Sequence, residues 1–286
     1  MTADRSTDPS LDTGSEAPHL TVSQAIANLQ QTADKGDRYY AAWWIGRFRV
    51  SQPEAISALL LALEDDSDRD TDGGFPLRRN AARALGKLGD HSVVPALINC
   101  LSCADYYVRE AAAQSLESLG AQESIASLIA LLAGGVDAAV EVPGKPHLIQ
   151  PYNAVLEALG TLGNQQDRQP ENRQILAVVD PFLSHRVPQV KNAAARAMYQ
   201  LTGLDHYAQP IVDTLMCDDL QLRRSALLDL GEVGYLPAAG AIANTLAENS
   251  IKLISLKGLL EKQIQRSNAL ISDDACQVMA LMDALL

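Results

Sequence analysis

Apolar residues along this chain recur at helical spacing, in blocks that repeat. The clearest blocks are PLRRNAARALGKLGDHSVVPALINCL (76–101), YVREAAAQSLESLGAQESIASLIALL (107–132), QVKNAAARAMYQLTGLDHYAQPIVDTL (189–215) and LQLRRSALLDLGEVGYLPAAGAIANTL (220–246). Each holds two helical segments joined by a short turn. Alignment brings Gly46, Gly86, Glu117, Gly160, Tyr199 and Gly231 into one column. A period of roughly 30–40 residues with two helices per copy predicts an α-solenoid, because each pair exposes an apolar face that only its neighbours can cover. Alanine runs at 81–82, 111–113 and 193–195 mark close helix approach, and an LG or LT pair stops each second helix.

These elements predict an all-α fold: a solenoid of about seven helix pairs over 21–286, closed by a capping helix at Ser272–Leu285. Thr21-Val22-Ser23-Gln24 reads as a capping box opening the first helix, and Ser51-Gln52-Pro53-Glu54 as another with an early proline. Residues 1–20 are polar, with two prolines, and read as a disordered acidic tail.

One block departs from the pattern. RYYAAWWIGRFR (38–49) holds both tryptophans of the chain; Tyr39, Trp43 and Arg47 share one helical face, and Tyr40, Trp44 and Phe48 the adjoining one. Either both sides are buried, or one is buried and the other faces a ligand.

Composition narrows the classes. The hydrophobic share of 47% leans on Ala and Leu, which favours helix. A net charge of −12 without a basic tract argues against nucleic acid and against an anionic membrane surface. The longest uncharged stretches, such as Val233–Ala247, are broken by Gly and Pro, so no membrane span is expected. No apolar leader follows Met1, and the four cysteines lack a disulfide framework, so a reducing cytoplasm is expected.

The acidic turn followed by V-R-x-x-A-x-x-A-L resembles HEAT repeats, and more narrowly the short HEAT-like repeats of phycobilisome lyases. That resemblance implies that the second helix of each pair lines a concave face. It also implies that the basic residue near its start (Arg38, Arg78, Arg109, Lys191, Arg223) meets a turn carboxylate, with Asp65, Asp105 and Asp218 as candidates. Tyr152 breaks this ladder. One and five residues beyond the ladder stand Tyr39/Trp43, Arg79/Arg83, Glu110/Gln114, Asn153/Glu157, Asn192/Arg196 and Arg224/Leu228. Nearly all are polar between apolar neighbours, so this stripe is expected to be the exposed groove side. Aromatic walls beside arginines suit a flat conjugated molecule with carboxylates, since rings stack and guanidinium forks bind carboxylates. The other reading is a solvated groove used for protein contacts.

Two segments interrupt the repeat. AGGVDAAVEVPGKPHLI (133–149) is long for a turn and should place His147 near the groove mouth, as a ligand-facing or a packing histidine. EDDSDRDTDGGFP (64–76) opens like an EF-hand loop, but Arg79 stands where a bidentate carboxylate is needed, so a flexible acidic loop is expected. Cys100-x-x-Cys103 lacks a second ligand pair, so no metal is expected. Hydrolase, P-loop and dinucleotide motifs are absent, and no thiol has an activating neighbour in sequence.

RYYAAWWIGRF (38–48), LRRNAARALGKLGD (77–90), GKPHLIQPYNAVLEALGTLG (144–163) and VKNAAARAMYQLTG (190–203) together resemble the E/F-type phycocyanobilin lyases, on the side of the larger, E-type subunit. The resemblance spans residues 21 to 260. It implies a heterodimer with a smaller F-type subunit, and a phycocyanin α subunit as acceptor. Phycocyanobilin is then a substrate and no cofactor is permanently bound. The product is a thioether, formed when the acceptor cysteine adds to the ethylidene group of the bilin A ring. Such chemistry needs positioning and electrostatics. Tyr39 and Trp43 are assigned to stacking and Arg79 and Arg83 to the propionates, with Tyr152 as a further bilin contact. Glu157 or Glu110 would meet the pyrrole nitrogens, and His147 is a candidate proton donor. A non-catalytic HEAT scaffold for phycobiliproteins and the related phycoerythrocyanin lyase-isomerase stay open as alternatives.

Overall fold

The computed structural model describes residues 20–163, 170–266 and 272–286. The tail expected over 1–20 therefore lies, apart from Leu20, outside the described residues. Among the described residues fifteen α-helices follow in order: α1 (Val22–Gln30), α2 (Lys35–Arg47), α3 (Pro53–Leu63), α4 (Pro76–Leu88), α5 (Val94–Cys100), α6 (Tyr106–Leu119), α7 (Ile125–Leu131), α8 (Tyr152–Gly163), α9 (Pro170–Val179), α10 (Pro188–Thr202), α11 (Asp205–Thr214), α12 (Leu220–Val233), α13 (Ala239–Asn244), α14 (Asn249–Arg266) and α15 (Asp273–Asp283). The first fourteen form seven successive pairs, and α15 closes the stack against α13 and α14. The fold is an all-α solenoid, as the repeat predicts. Among the described residues, extended pairing is confined to one bridge between Glu141 and Leu148.

Each even-numbered helix from α2 to α12 packs on the next even one, whereas contacts between successive odd-numbered helices thin out between α3 and α13. The even helices are therefore the inner layer of the curve, and their free faces line the groove. Close approach comes from small residues. A Cβ added at Gly86 would lie 2.5 Å from the Ser115 side chain of α6, and Ser115 Oγ donates across the gap to the Ala82 carbonyl at 2.9 Å. Leu85 and Leu230 are fully buried. At Gly89, Gly120, Gly203 and Gly234 the chain turns left-handed and stops α4, α6, α10 and α12, a conformation that side chains with a Cβ disfavour.

The Thr21–Gln24 capping box is formed. The one expected at Ser51 is not: Gln52 is the cap of α3, without a side-chain bond, and Pro53 starts the helix. The basic ladder is also corrected in part. Arg38 pairs with Asp65, but its Nε also donates to the Leu29 carbonyl at 3.1 Å. Arg78 pairs with Asp66 and donates to the Asp65 carbonyl. Arg109 and Arg223 give their Nη1 donors to the carbonyls of Cys103 and Cys217, each at 2.6 Å. Asp105 instead caps α6 and accepts from the Phe75 amide at 2.7 Å. The ladder thus satisfies orphan carbonyls at turns more than it pairs charges. Lys252 continues it into α14, its Nζ 3.1 Å from the Ala243 carbonyl.

Candidate functional site

The polar stripe lies on the inner layer but is not uniformly open. Trp43, Arg83, Gln114 and Leu228 are exposed, and Tyr39, Arg79, Glu110, Asn153 and Glu157 are partly covered. Asn192 and Arg196 are buried, a correction with a packing cause: α10 is wedged between α8 and α12, and Asn192 turns to Thr214 of α11. Tyr152 is also corrected. It is 2% exposed and tilted against Phe182 with ring centroids 5.6 Å apart, so it belongs to the core and is out of reach of a groove ligand.

At the N-terminal end, α2 presents aromatic surface. Trp43 is about half exposed and stacks on Tyr40 at 5.5 Å, and Phe48 stays open beside Trp44. The Tyr39 phenol turns towards buried Asp68, whose carboxylate lies 3.1 Å from Lys35; burial and that carboxylate raise the phenol's pKa.

On the next two helices the structure brings four of the expected residues together. Arg83 of α4 lies 3.7 Å from the Glu110 carboxylate of α6, and the Arg79 guanidinium sits over the Tyr107 ring at 5.6 Å. His147 arrives from the 133–149 loop and lies face to face on Tyr106, centroids 4.2 Å apart, with Tyr107 edge-on at 5.6 Å. Its Nδ1 is 2.8 Å from the Leu148 carbonyl, which can only accept, so Nδ1 carries a hydrogen. Burial raises the Glu110 pKa, opposed by Arg83, Arg79 and His147. Arg109 anchors the loop through the Ile149 carbonyl at 2.7 Å, and Lys145 clasps Asp72 of the 64–76 loop at 3.3 Å. The two interruptions thus meet around a cleft of about 480 Å³ with His147 in its wall.

Glu157 belongs to a second cluster, farther along the groove. Arg196 Nη1 lies 3.4 Å from Glu157 and 3.2 Å from Asp229, and its Nη2 lies 2.9 Å from Glu117. Thr161 Oγ1 donates to Glu117 at 2.7 Å, and Gln200 Nε2 donates to Thr161 at 3.2 Å. Burial is the main cause that pushes the Glu157 pKa up to about 8; Arg196 pulls it back, and Asp229, Glu117 and Glu110 add to the rise. This cluster adjoins a groove cavity of about 970 Å³, lined by Glu117, Thr161, Arg196, Leu228, Ile254 and Lys262 among others. Tyr39, Trp43, Arg79 and Arg83 do not line that space.

Other chemistry finds little support. Burial pushes the Cys100 thiol up to about 11, away from nucleophilic use. Among the described residues no group of three or more His, Cys, Asp or Glu is placed to hold a metal ion. In the 64–76 loop, Asp70 instead accepts from the amides of Asp72 and Gly74. No described helix is long and apolar enough to cross a membrane.

Known proteins match along nearly the whole length. A phycocyanobilin lyase subunit alpha from Nostoc sp. is 58% identical over 271 residues, 94% of this chain and 95% of its own. This chain belongs to the phycocyanobilin lyase alpha-subunit family. The family member of Synechococcus elongatus is 55% identical and aligns over 96% of this chain. The solved complex of CpcE and CpcF of phycocyanin lyase from Nostoc sp. contains a chain that superposes with a TM-score of 0.85 at 55% identity, covering 98% of this chain and 100% of that one. Within the lyase-family chain, the PBS lyase HEAT-like repeat matches residues 37–65 and HEAT repeats match 69–141. The resemblance carried by RYYAAWWIGRF and the GKPH loop is borne out.

Sequence reasoning did not single out Tyr106, Tyr107, Glu117 or Asp229, or Arg196 as more than a stripe position. Signals existed for two of these groups. Tyr106-Tyr107 precedes Arg109 much as an aromatic pair follows Arg38, and Glu117 stands in a column otherwise held mostly by glycine.

Proposed function

We propose that this chain is the alpha-type subunit of a heterodimeric bilin lyase. With an F-type partner it binds phycocyanobilin and catalyses thioether attachment to a cysteine of the phycocyanin α subunit. The observation that carries this reading is the end-to-end match to a chain of the CpcE–CpcF complex of a phycocyanin lyase. A non-catalytic scaffold is not favoured, because relatives at 52–58% identity are themselves phycocyanobilin lyase subunits. Phycocyanobilin acts as substrate, no cofactor is resident, and the pair works in the cytoplasm.

In this reading the sulfur adds to the ethylidene carbon of the A ring, the thiol gives up its proton, and the tetrapyrrole takes one up. The protein must hold the bilin in one conformation and manage that proton. The half-exposed Trp43 offers a stacking face, with Tyr39 beside it. Arg79 and Arg83 offer guanidinium groups for the propionates, and Glu110 offers a carboxylate to a pyrrole nitrogen. Two groups are assigned to the proton, Nε2 of His147 and the carboxyl of Glu157. Cells making this chain, an F-type subunit, apo-phycocyanin α subunit and bilin should yield pigment that stays on the acceptor after denaturation, with phycocyanobilin absorbance. Adduct formation independent of this chain would overturn the reading. An isomerised chromophore would point to the phycoerythrocyanin enzyme instead.

A further inference from the structure

The repeat does not require the Glu117–Glu157–Arg196–Asp229 cluster. Glu117 stands in the column where Gly46, Gly86, Gly160 and Gly231 let helices touch. Its carboxylate accepts from Thr161 of α8 and reaches across that helix to Arg196. Three carboxylates from α6, α8 and α12 thus share one guanidinium from α10, and the side chains are between 7% and 20% exposed. Fully ionised, the four groups would leave two uncompensated negative charges largely out of water, so the cluster must hold protons. A group kept only for stability would satisfy its donors, yet Arg196 Nε is buried without a hydrogen-bond partner. Through Glu117 and Arg196 the cluster also borders a groove cavity of about 970 Å³.

We propose that Glu117 and Asp229 are positioning residues that keep the carboxyl of Glu157 in its proton-bearing form, with Arg196 gathering the three carboxyl groups and limiting that effect, making this end of the groove the proton source for the bound tetrapyrrole. This inference rests on the bilin-lyase reading. Glu157 gives its proton to the conjugated system as the carbon–sulfur bond forms, and the proton shed by the acceptor thiol refills it. The S–H bond and the ethylidene π bond are lost, and one C–S bond and one bond from the tetrapyrrole to hydrogen form, with no further reactant. Removing a negative neighbour weakens the hold of Glu157 on its proton, and removing Arg196 strengthens it. The other charged groups that act on Glu157 or Arg196 are Glu110 of α6 and Glu232 of α12, the latter paired with Lys262 of α14 at 3.2 Å.

The test is the pH profile of single-turnover transfer by the complete lyase pair. The parent pair should lose rate on an alkaline limb. Glu117→Gln and Asp229→Asn should each move the midpoint of that limb down by about one pH unit, and Arg196→Gln should move it up. Glu157→Gln should remove the limb and leave bilin binding, read by absorbance, within about threefold. A merely structural cluster would lower the melting temperature and the rate at every pH without moving the midpoint. Should Glu117→Gln and Asp229→Asn, both folded by circular dichroism, keep the parent midpoint, the inference is overturned. It is equally overturned if the limb vanishes only when His147 is replaced. A parent pair inactive at every pH would instead overturn the lyase reading itself.

Discussion

Glu117 Oε1 lies 2.9 Å from Arg196 Nη2, although 79 residues separate them and α8 runs between their helices. The contact ties the third and fifth second helices across the floor of the groove. It depends on a repeat irregularity, since a glycine in that column could not span the gap. Buried ion pairs contribute little net stability, but breaking one strands its partners.

Replacing Arg196 with methionine should therefore destabilise the fold by about 3–5 kcal/mol at neutral pH, by leaving buried carboxylates without their counter-charge. Urea denaturation checks this. A loss below about 1 kcal/mol would mean that solvent already screens the cluster.

The raised pKa of Glu157 also makes stability depend on pH. Its ordinary value is 4.5 and its folded value about 8, so between them the folded chain binds a proton that the unfolded chain has released. Stability contributed by this group is full below the unfolded value and is lost as pH rises through the folded one. Glu157→Gln should flatten the decline in denaturation midpoint between pH 5 and pH 9. An unchanged slope would show that Glu157 ionises normally.

Stripe residues and core residues should separate cleanly. Trp43 is about half exposed and the Arg83 side chain 44% exposed, whereas Leu85 is fully buried. Trp43→Ala or Arg83→Ala should weaken bilin binding about ten- to a hundredfold with little change in melting temperature, since stacking or a charge-assisted bond contributes about 1–3 kcal/mol. Leu85→Ala should cost about 2–5 kcal/mol of stability. Equal thermal losses with unchanged affinity per folded molecule would make the stripe structural.

Gly86→Ala probes the helix spacing that holds the groove together. The new methyl would overlap Ser115, and α4 and α6 would have to part. A loss of about 1–3 kcal/mol is expected in thermal or urea melts. A neutral result would mean that the interface yields.

The fold was legible because solenoid packing is local: alanine runs, left-handed glycines and apolar spacing report directly on neighbouring helices. Where the basic ladder was misread, the sequence showed carboxylates near each turn but could not show the turn carbonyls that Arg109 and Arg223 reach. Periodicity assigns a residue to a face without revealing how tightly the next helix covers it, which is why Arg196 and Asn192 were expected open. Tyr152 looked like a ligand contact because it follows the GKPH loop, yet its ring is spent on Phe182. The meeting of Arg83, Glu110 and His147 joins α4, α6 and a distant loop, and no spacing rule encodes it.

The most direct test of the lyase account uses purified components: bilin, apo-phycocyanin α subunit, this chain and an F-type subunit. Absorbance of the denatured acceptor reports covalent pigment. The account predicts thioether adduct when both lyase chains are present and essentially none with either alone. Full transfer by this chain without its partner, or no adduct from the pair on a competent acceptor, would contradict it.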